Sequence, residues 1–128
     1  MTNLIAALLS LFLTPDHPGP FYHLQTIIMQ DDAVIASPAV RMRSDMPVSL
    51  VAEQPSAYEL HAEVHEGVGD LRRVDIRYRV LDGAEWVDRY EGTHLLDISE
   101  AATVDIDAGE GLRLRIWLTY TPAVTGQI

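Results

Sequence analysis

The feature that most constrains this fold is a two-residue alternation of apolar and polar side chains, which begins at Phe21. It is clearest from Tyr58 to His65, where one set of alternate residues is apolar (Tyr58, Leu60, Ala62, Val64) and the other is polar (Glu59, His61, Glu63, His65). Successive side chains of a β-strand point to opposite faces, so the first set is predicted to face a core and the second to face outward. Turn residues interrupt the alternation at short intervals, which is typical of an all-β chain.

The next alternating segment, Leu71–Leu81, sets apolar residues against charged ones and ends at Asp82-Gly83, a strong signal for a two-residue hairpin turn. Its expected inward residues are Val74, Ile76, Tyr78 and Val80, and its outward residues are Arg73, Asp75, Arg77 and Arg79. Shorter strands are predicted earlier in the chain: Tyr22–Met29, Ala33–Ala36, Ala39–Arg43 and Val48–Val51. In Ala39–Arg43, Val40 and Met42 are expected to face one way and the two arginines the other.

The last hairpin allows its register to be predicted, because both of its faces give the same answer. Setting Asp107 opposite Arg113 and Asp105 opposite Arg115 also sets Ile106 opposite Leu114 and Val104 opposite Ile116. A slip of one residue would place aliphatic side chains opposite charged ones. The hairpin tip is therefore predicted at Gly109-Glu110-Gly111.

The chain of 128 residues has the length of one domain and contains no cysteine, which excludes disulfides, thiolate chemistry and cysteine-ligated zinc. About eight strands in roughly a hundred residues favour an antiparallel two-sheet β-sandwich of immunoglobulin-like size. A small β-barrel is the alternative. The sandwich is predicted to occupy residues 21–128, after a proline-rich linker at residues 14–20.

Residues 1–13 contain an apolar run, Leu4–Leu13, that would be apolar on every side of a helix. It is shorter than the roughly 20 residues that a membrane-spanning helix needs. Its length suits a signal peptide, although Met1-Thr2-Asn3 carries no basic residue and no small-residue cleavage pattern follows. The alternatives are a retained helix, docked on its own domain or on another subunit through Leu4, Leu8, Leu11 and Phe12, a misplaced start, and an additional buried element. An extracytoplasmic location is expected, with a virion or the cytoplasm as alternatives.

The formal net charge of -10 comes from 19 acidic residues against 9 basic ones, all of them arginine. Such a surface repels phosphate backbones and anionic lipid headgroups, so nucleic acid is not an expected partner.

His61, Glu63 and His65 form the best candidate metal site, because all three are predicted on one face of a strand. Neighbours two residues apart lie roughly 7 Å apart and can share a metal ion, whereas residues four apart lie about 13 Å apart. Two ligands rather than three are therefore expected. A solvated polar face is the simpler interpretation of the same pattern.

Four aromatic residues, Trp86, Tyr90, Trp117 and Tyr120, are candidates for a sugar-stacking or protein-binding surface, although packing within the fold is the commoner role. The predicted hairpin register places Trp117 on the same face as Arg113 and Arg115. There it is predicted either to cover another surface or to stack with an arginine of its own sheet.

The segment Val34–Leu50, VIASPAVRMRSDMPVSL, resembles the β-hairpin motif of bacterial secretins, the outer-membrane secretion channels. In that motif a V-x-x-x-P strand leads through a polar turn into a short apolar strand. The resemblance covers about 17 of 128 residues. It implies an envelope module or a secretin-like fragment and transfers no functional residues.

No sequence motif supports catalysis: there is no G-x-S-x-G elbow, no G-x-G-x-x-G loop and, without lysine, no S-x-x-K. The expected function is that of a non-catalytic structural or protein-interaction module without a cofactor, which binds a protein partner or associates with itself as a homo-oligomer. A small ligand-, metal- or carbohydrate-binding domain is the alternative.

Overall fold

A computed structural model of the chain describes residues 20–53, 56–100 and 102–122. These residues form nine β-strands and no helix, arranged as two antiparallel sheets packed face to face, which confirms the predicted β-sandwich. The helix expected within residues 4–13 lies outside the described residues. The strands are β1 Phe21–Gln30, β2 Ala33–Ala36, β3 Ala39–Met42, β4 Val48–Ala52, β5 Tyr58–Glu66, β6 Leu71–Asp82, β7 Glu85–Asp97, β8 Ala102–Gly109 and β9 Leu112–Thr121.

Sheet A contains β2, β1, β9 and β8 in that order, with β3 paired to the first half of β1. Strand β1 pairs with β9 along its whole length, from Phe21 opposite Thr121 to Gln30 opposite Leu112. The other side of β1 is shared by β2 and β3, which are separated at Ser37-Pro38, where the Pro38 carbonyl accepts a hydrogen bond from the Thr26 amide. Within the secretin-like segment, β2 and β3 therefore both pair with β1, while β4 belongs to the other sheet.

The β8–β9 hairpin has the predicted register. Asp107 lies opposite Arg113 and Asp105 opposite Arg115. The aliphatic pairs are Ile106 opposite Leu114 and Val104 opposite Ile116. The Arg115 Nε donates a 2.6 Å hydrogen bond to the Asp105 carboxylate. The two tip residues, Glu110 and Gly111, have φ values of 55° and 80°, which suit a tight turn that follows the strand twist.

The tips of β1–β2 and β8–β9 are bound to each other. The Gln30 side-chain amide donates to the Glu110 carbonyl at 2.9 Å, and the Asp31 amide donates to the Gly111 carbonyl at 2.9 Å. A Cβ atom at Gly111 would lie 2.1 Å from the Asp31 carboxylate, so this contact requires glycine. Hydrogen bonds therefore join the two hairpin tips of sheet A to each other at this end of the molecule.

Sheet B has the order β4-β5-β6-β7. Strands β6 and β7 pair from Leu71 opposite Asp97 to Asp82 opposite Glu85, and a β-bulge leaves Arg89 as an extra residue. The turn between them consists of Gly83 and Ala84, one residue later than the Asp82-Gly83 turn that the sequence predicts. The shift follows from conformation: Gly83 has a φ of 65° at the first central position, where a type II′ turn requires glycine.

The core lies between the sheets and contains the alternate residues that the sequence places inward. Tyr58, Leu60, Ala62 and Val64 are at most 4 % exposed, as are Val74, Ile76 and Tyr78, while Val80 is partly buried. Val40 and Met42 are buried as well. The outward residues of β5 are half-buried rather than fully exposed, because neighbouring side chains on the same face cover their stems.

One end of the sandwich is closed by Arg72, a buried charged residue on β6. Its Nε atom donates to the Tyr22 hydroxyl at 2.5 Å, and one terminal nitrogen donates to the carbonyls of Gly69 and Leu71, each at 2.9 Å. The guanidinium also lies over the rings of Tyr22 and Tyr120. We call this region the Arg72 end; the opposite end, near the β6–β7 turn, is called the open end.

Within the described residues, no helix has the length and apolar character needed to cross a membrane.

Candidate functional site

The outer face of β5 carries the three residues predicted as a metal site, but they do not converge on one point. The Nδ1 atom of His61 lies 2.8 Å from the Ser49 hydroxyl on β4. Glu63 and His65 approach each other, with 3.4 Å between the Glu63 carboxylate and the His65 Nε2. His61 is therefore turned toward a different strand from its two neighbours.

His65 contacts carboxylates on both sides of its ring. Its Nδ1 atom lies 2.6 Å from Asp45, and its Nε2 atom lies 3.2 Å from Asp75. Asp45 has a φ of 63° and its amide donates to the Val64 carbonyl, so the loop between β3 and β4 is held beside β5. Among the described residues, no group of three or more histidine or acidic side chains has an arrangement that could hold a metal ion. The geometry therefore gives the metal hypothesis no support.

The four candidate aromatic residues lie on four different surfaces. Trp86 lies on the outer face of sheet B under Arg79, whereas Trp117 lies on the outer face of sheet A under Arg115, 6.0 Å from its ring centre. Tyr120 packs at the Arg72 end, with its ring centre 5.1 Å from that of Tyr22. Trp117 thus adopts the second of its two predicted roles, stacking with an arginine of its own sheet. These residues do not form one stacking platform.

Tyr90, on the inner side of β7, lies along its own strand over Gly92. Its hydroxyl is 2.6 Å from the Nε2 atom of His94, and a Cβ atom at Gly92 would lie 2.2 Å from that hydroxyl. The glycine provides the space that the ring occupies. Burial raises the pKa of Tyr90 and lowers the pKa of His94, so both groups are neutral near pH 7 and share one hydrogen bond.

Among the described strands, β7 has the longest edge without a strand partner. The strand has 13 residues, whereas β4 has 5, β8 has 8, and β2 and β3 have 4 each. Within the described residues β7 pairs only with β6. Three of its large apolar side chains are exposed: Trp86, Val87 and Leu95.

A cleft of about 500 Å³ enters between the sheets at the open end. Its lining is mixed: the apolar and aromatic members are Ile35, Tyr78, Val80, Leu81 and Val87, and the polar members are Gln30, Ser56, Asp82 and Arg89. Burial raises the pKa of Tyr58, and the neighbouring Tyr78 raises it further. Burial also raises the pKa of Tyr78, and the positive charge of Arg89 partly opposes that rise. Arg89 therefore lies close to a buried ring at the inner part of this cleft.

Of the predicted interaction residues, Leu4, Leu8, Leu11 and Phe12 lie outside the described residues. Sequence reasoning missed both the β7 edge and the cleft. The length of β7 was not visible because Glu85–Tyr90 does not alternate cleanly, which is the effect of the bulge at Arg89. The cleft depends on contacts between residues far apart in the chain, such as Ile35 and Val87.

No protein-family model matches this chain, no curated protein is significantly similar to it in sequence, and no solved structure is significantly similar to its fold.

Proposed function

We propose that this protein is a non-catalytic interaction module of the cell envelope, an appendage or a virion, which binds an extended segment of a partner protein along the free edge of β7. The observation that carries the proposal is the length and exposure of that edge. A strand edge presents unpaired amide and carbonyl groups, which are a ready template for another strand.

The edges of the other strands are poorer templates. Strands β2, β3 and β4 have five residues or fewer, and Ser37-Pro38 interrupts the edge that β2 and β3 share. On β8, Asp105 and Asp107 face outward, and a bulge occurs before Gly109. Short strands, charges and bulges are the usual features that prevent an edge from pairing. Strand β7 has one such bulge, at Arg89, and beyond it Tyr90–Asp97 continues without irregularity for eight residues.

The side chains on this part of β7 indicate a partner of basic, partly apolar character. Leu95 is 69 % exposed on the outer face, and the carboxylates of Glu91 and Asp97 lie on either side of it along the strand. An added strand would place its side chains beside these three residues. A second copy of this chain would bring carboxylates together on a protein with a net charge of -10, so a basic partner is favoured over self-association.

The test uses two defined peptides, one alternating lysine with valine and one alternating glutamate with valine. Each is added to the isotope-labelled full chain while backbone amide shifts and exchange rates are followed by NMR at physiological salt. The lysine peptide should slow amide exchange in Tyr90–Asp97, and the glutamate peptide should not. Leu95→Lys should abolish this effect, because it removes the apolar contact and repels the peptide.

Val68→Lys provides the matched control, since Val68 is 87 % exposed in the β5–β6 loop and the charge change is identical. Equal losses in the two lysine variants, or shifts spread over the acidic surface, would contradict the proposal. Protection of residues 90–97 in the protein alone, together with a dimer mass in sedimentation, would replace the partner with a second copy of the chain.

A further inference from the structure

The cleft at the open end contains a feature that packing alone does not require: each of its walls carries a β-bulge. In sheet A the register shifts between Ile28 and Met29, which leaves Ile35 as the extra residue of β2. In sheet B the extra residue is Arg89 of β7. Both extra residues line the cleft. Bulges redirect side chains and are over-represented beside functional sites.

Within the described residues, the apolar lining of the cleft is left partly open. Val87 lies opposite Val80 on the inner face of sheet B, yet it is 39 % exposed. The sheet A tips bind each other through Gln30 and Asp31, and the described residues of sheet A leave this valine partly open. The cleft volume of about 500 Å³ lies within the roughly 300–1,000 Å³ that is usual for small-molecule sites.

Arg89 supplies the charged group of the cleft. No carboxylate of the described residues lies within ion-pair distance of it, whereas Arg79, one strand away, contacts both Glu59 and Asp88. The lining residues include one carboxylate, that of Asp82, which lies at the turn end of β6, farther out than Arg89. A single negative charge near Arg89 is thus favoured, and a second one near the mouth is disfavoured.

We propose that this cleft binds a small monocarboxylate with an unbranched apolar chain. The carboxylate pairs with the Arg89 guanidinium, and the chain runs outward past Val80 and Val87 toward the mouth. Arginine suits this role because its planar donors match a carboxylate bidentately. The site is separate from the outward edge of β7, so the proposal stands or falls independently of the partner strand.

The test is calorimetric titration of the full chain with decanoate, decanol and decyltrimethylammonium, three ligands with the same chain, each kept below its micelle concentration. Decanoate should bind saturably at one site per protein. Decanol should bind about tenfold or more weakly, because it cannot form the charged pair, and the cation should not bind. Amide shifts should map to residues around Val80, Val87 and Arg89.

Arg89→Gln should weaken decanoate binding by about tenfold or more and leave decanol binding unchanged. Arg113→Gln, on the outer face of sheet A, makes the same charge change and should leave both unaltered. The proposal is overturned by the absence of saturable decanoate binding, by equal effects of the two variants, or by shifts that map outside the cleft.

Discussion

The two ends of the sandwich each place an arginine between the sheets, and the surroundings of the two arginines differ. Arg72 is 7 % exposed and donates to a tyrosine hydroxyl and two backbone carbonyls. Arg89 is partly exposed and, like Tyr78, lines the cleft at the open end. The same residue type is a structural element at one end and an available charge at the other.

The cause of the difference lies in what each sheet does at its ends. At the Arg72 end, the tight loop after β5 turns its carbonyls inward, and neighbouring strands of sheet A bring Tyr22 and Tyr120 together. Burial is the largest single influence and lowers the pKa of Arg72, but the hydrogen bond to Tyr22 together with the electrostatic contributions of Tyr22, Glu66 and Tyr120 raises this pKa overall. At the open end the sheet A tips bind each other, and the described residues leave Val87 of sheet B 39 % exposed. Burial of an arginine therefore depends on hydrogen-bond acceptors around its guanidinium, because burying a cation without acceptors costs free energy.

The largest expected effect is that of Arg72→Met. The substitution removes the guanidinium hydrogen bonds to the Tyr22 hydroxyl and to the carbonyls of Gly69 and Leu71, of which the Leu71 carbonyl keeps the Gly67 amide as a donor. The free energy of unfolding should fall by about 2–4 kcal/mol in urea denaturation. Arg89→Met, the same change at the open end, should alter it by less than about 0.5 kcal/mol. Similar losses in both variants would remove the distinction between the two ends.

A smaller effect is expected from a pair of matched tyrosine variants. Tyr22→Phe removes the acceptor for the buried Arg72 Nε, and the free energy of unfolding should fall by about 1.5–2 kcal/mol. Tyr78→Phe should change it by less than about 0.5 kcal/mol, because no described residue forms a hydrogen bond with that hydroxyl. Thermal and urea unfolding of both variants provide the measurement. A larger loss of unfolding free energy in Tyr78→Phe than in Tyr22→Phe would show that the hydroxyl at the open end contributes more to stability than the one at the Arg72 end.

The sequence predicted those parts of the fold whose partners are close together in the chain. The β8–β9 register followed from four residues on either side of one turn, because charged and aliphatic pairs had to match at once. The inward residues of β5 and β6 followed from alternation alone. The type II′ position of the β6–β7 turn was missed by one residue, since Asp-Gly suits more than one turn type.

The candidate sites could not be predicted, for a physical reason that Arg72 illustrates. Alternation already puts Arg72 in phase with Val74 and Ile76, which is a signal of burial. Its acceptor, Tyr22, lies 50 residues away in the other sheet, and no local pattern gives that distance. The bulges at Ile35 and Arg89 are similar cases, because each follows from pairing across two strands.

The smallest expected effect concerns His94 on β7, whose side chain is partly buried. Burial lowers the pKa of His94 in the folded state, so the unfolded chain binds more protons as the pH falls below about 6.5. Stability should therefore decrease from pH 7 toward the lowered pKa. The imidazole is only partly buried, so the decrease is expected to be smaller than either loss above. His94→Gln should flatten this part of the urea stability profile, whereas His61→Gln, on the outer face of sheet B, should retain it. An unchanged slope in His94→Gln would mean that the inner side of β7 is as open to water as the cleft around Arg89.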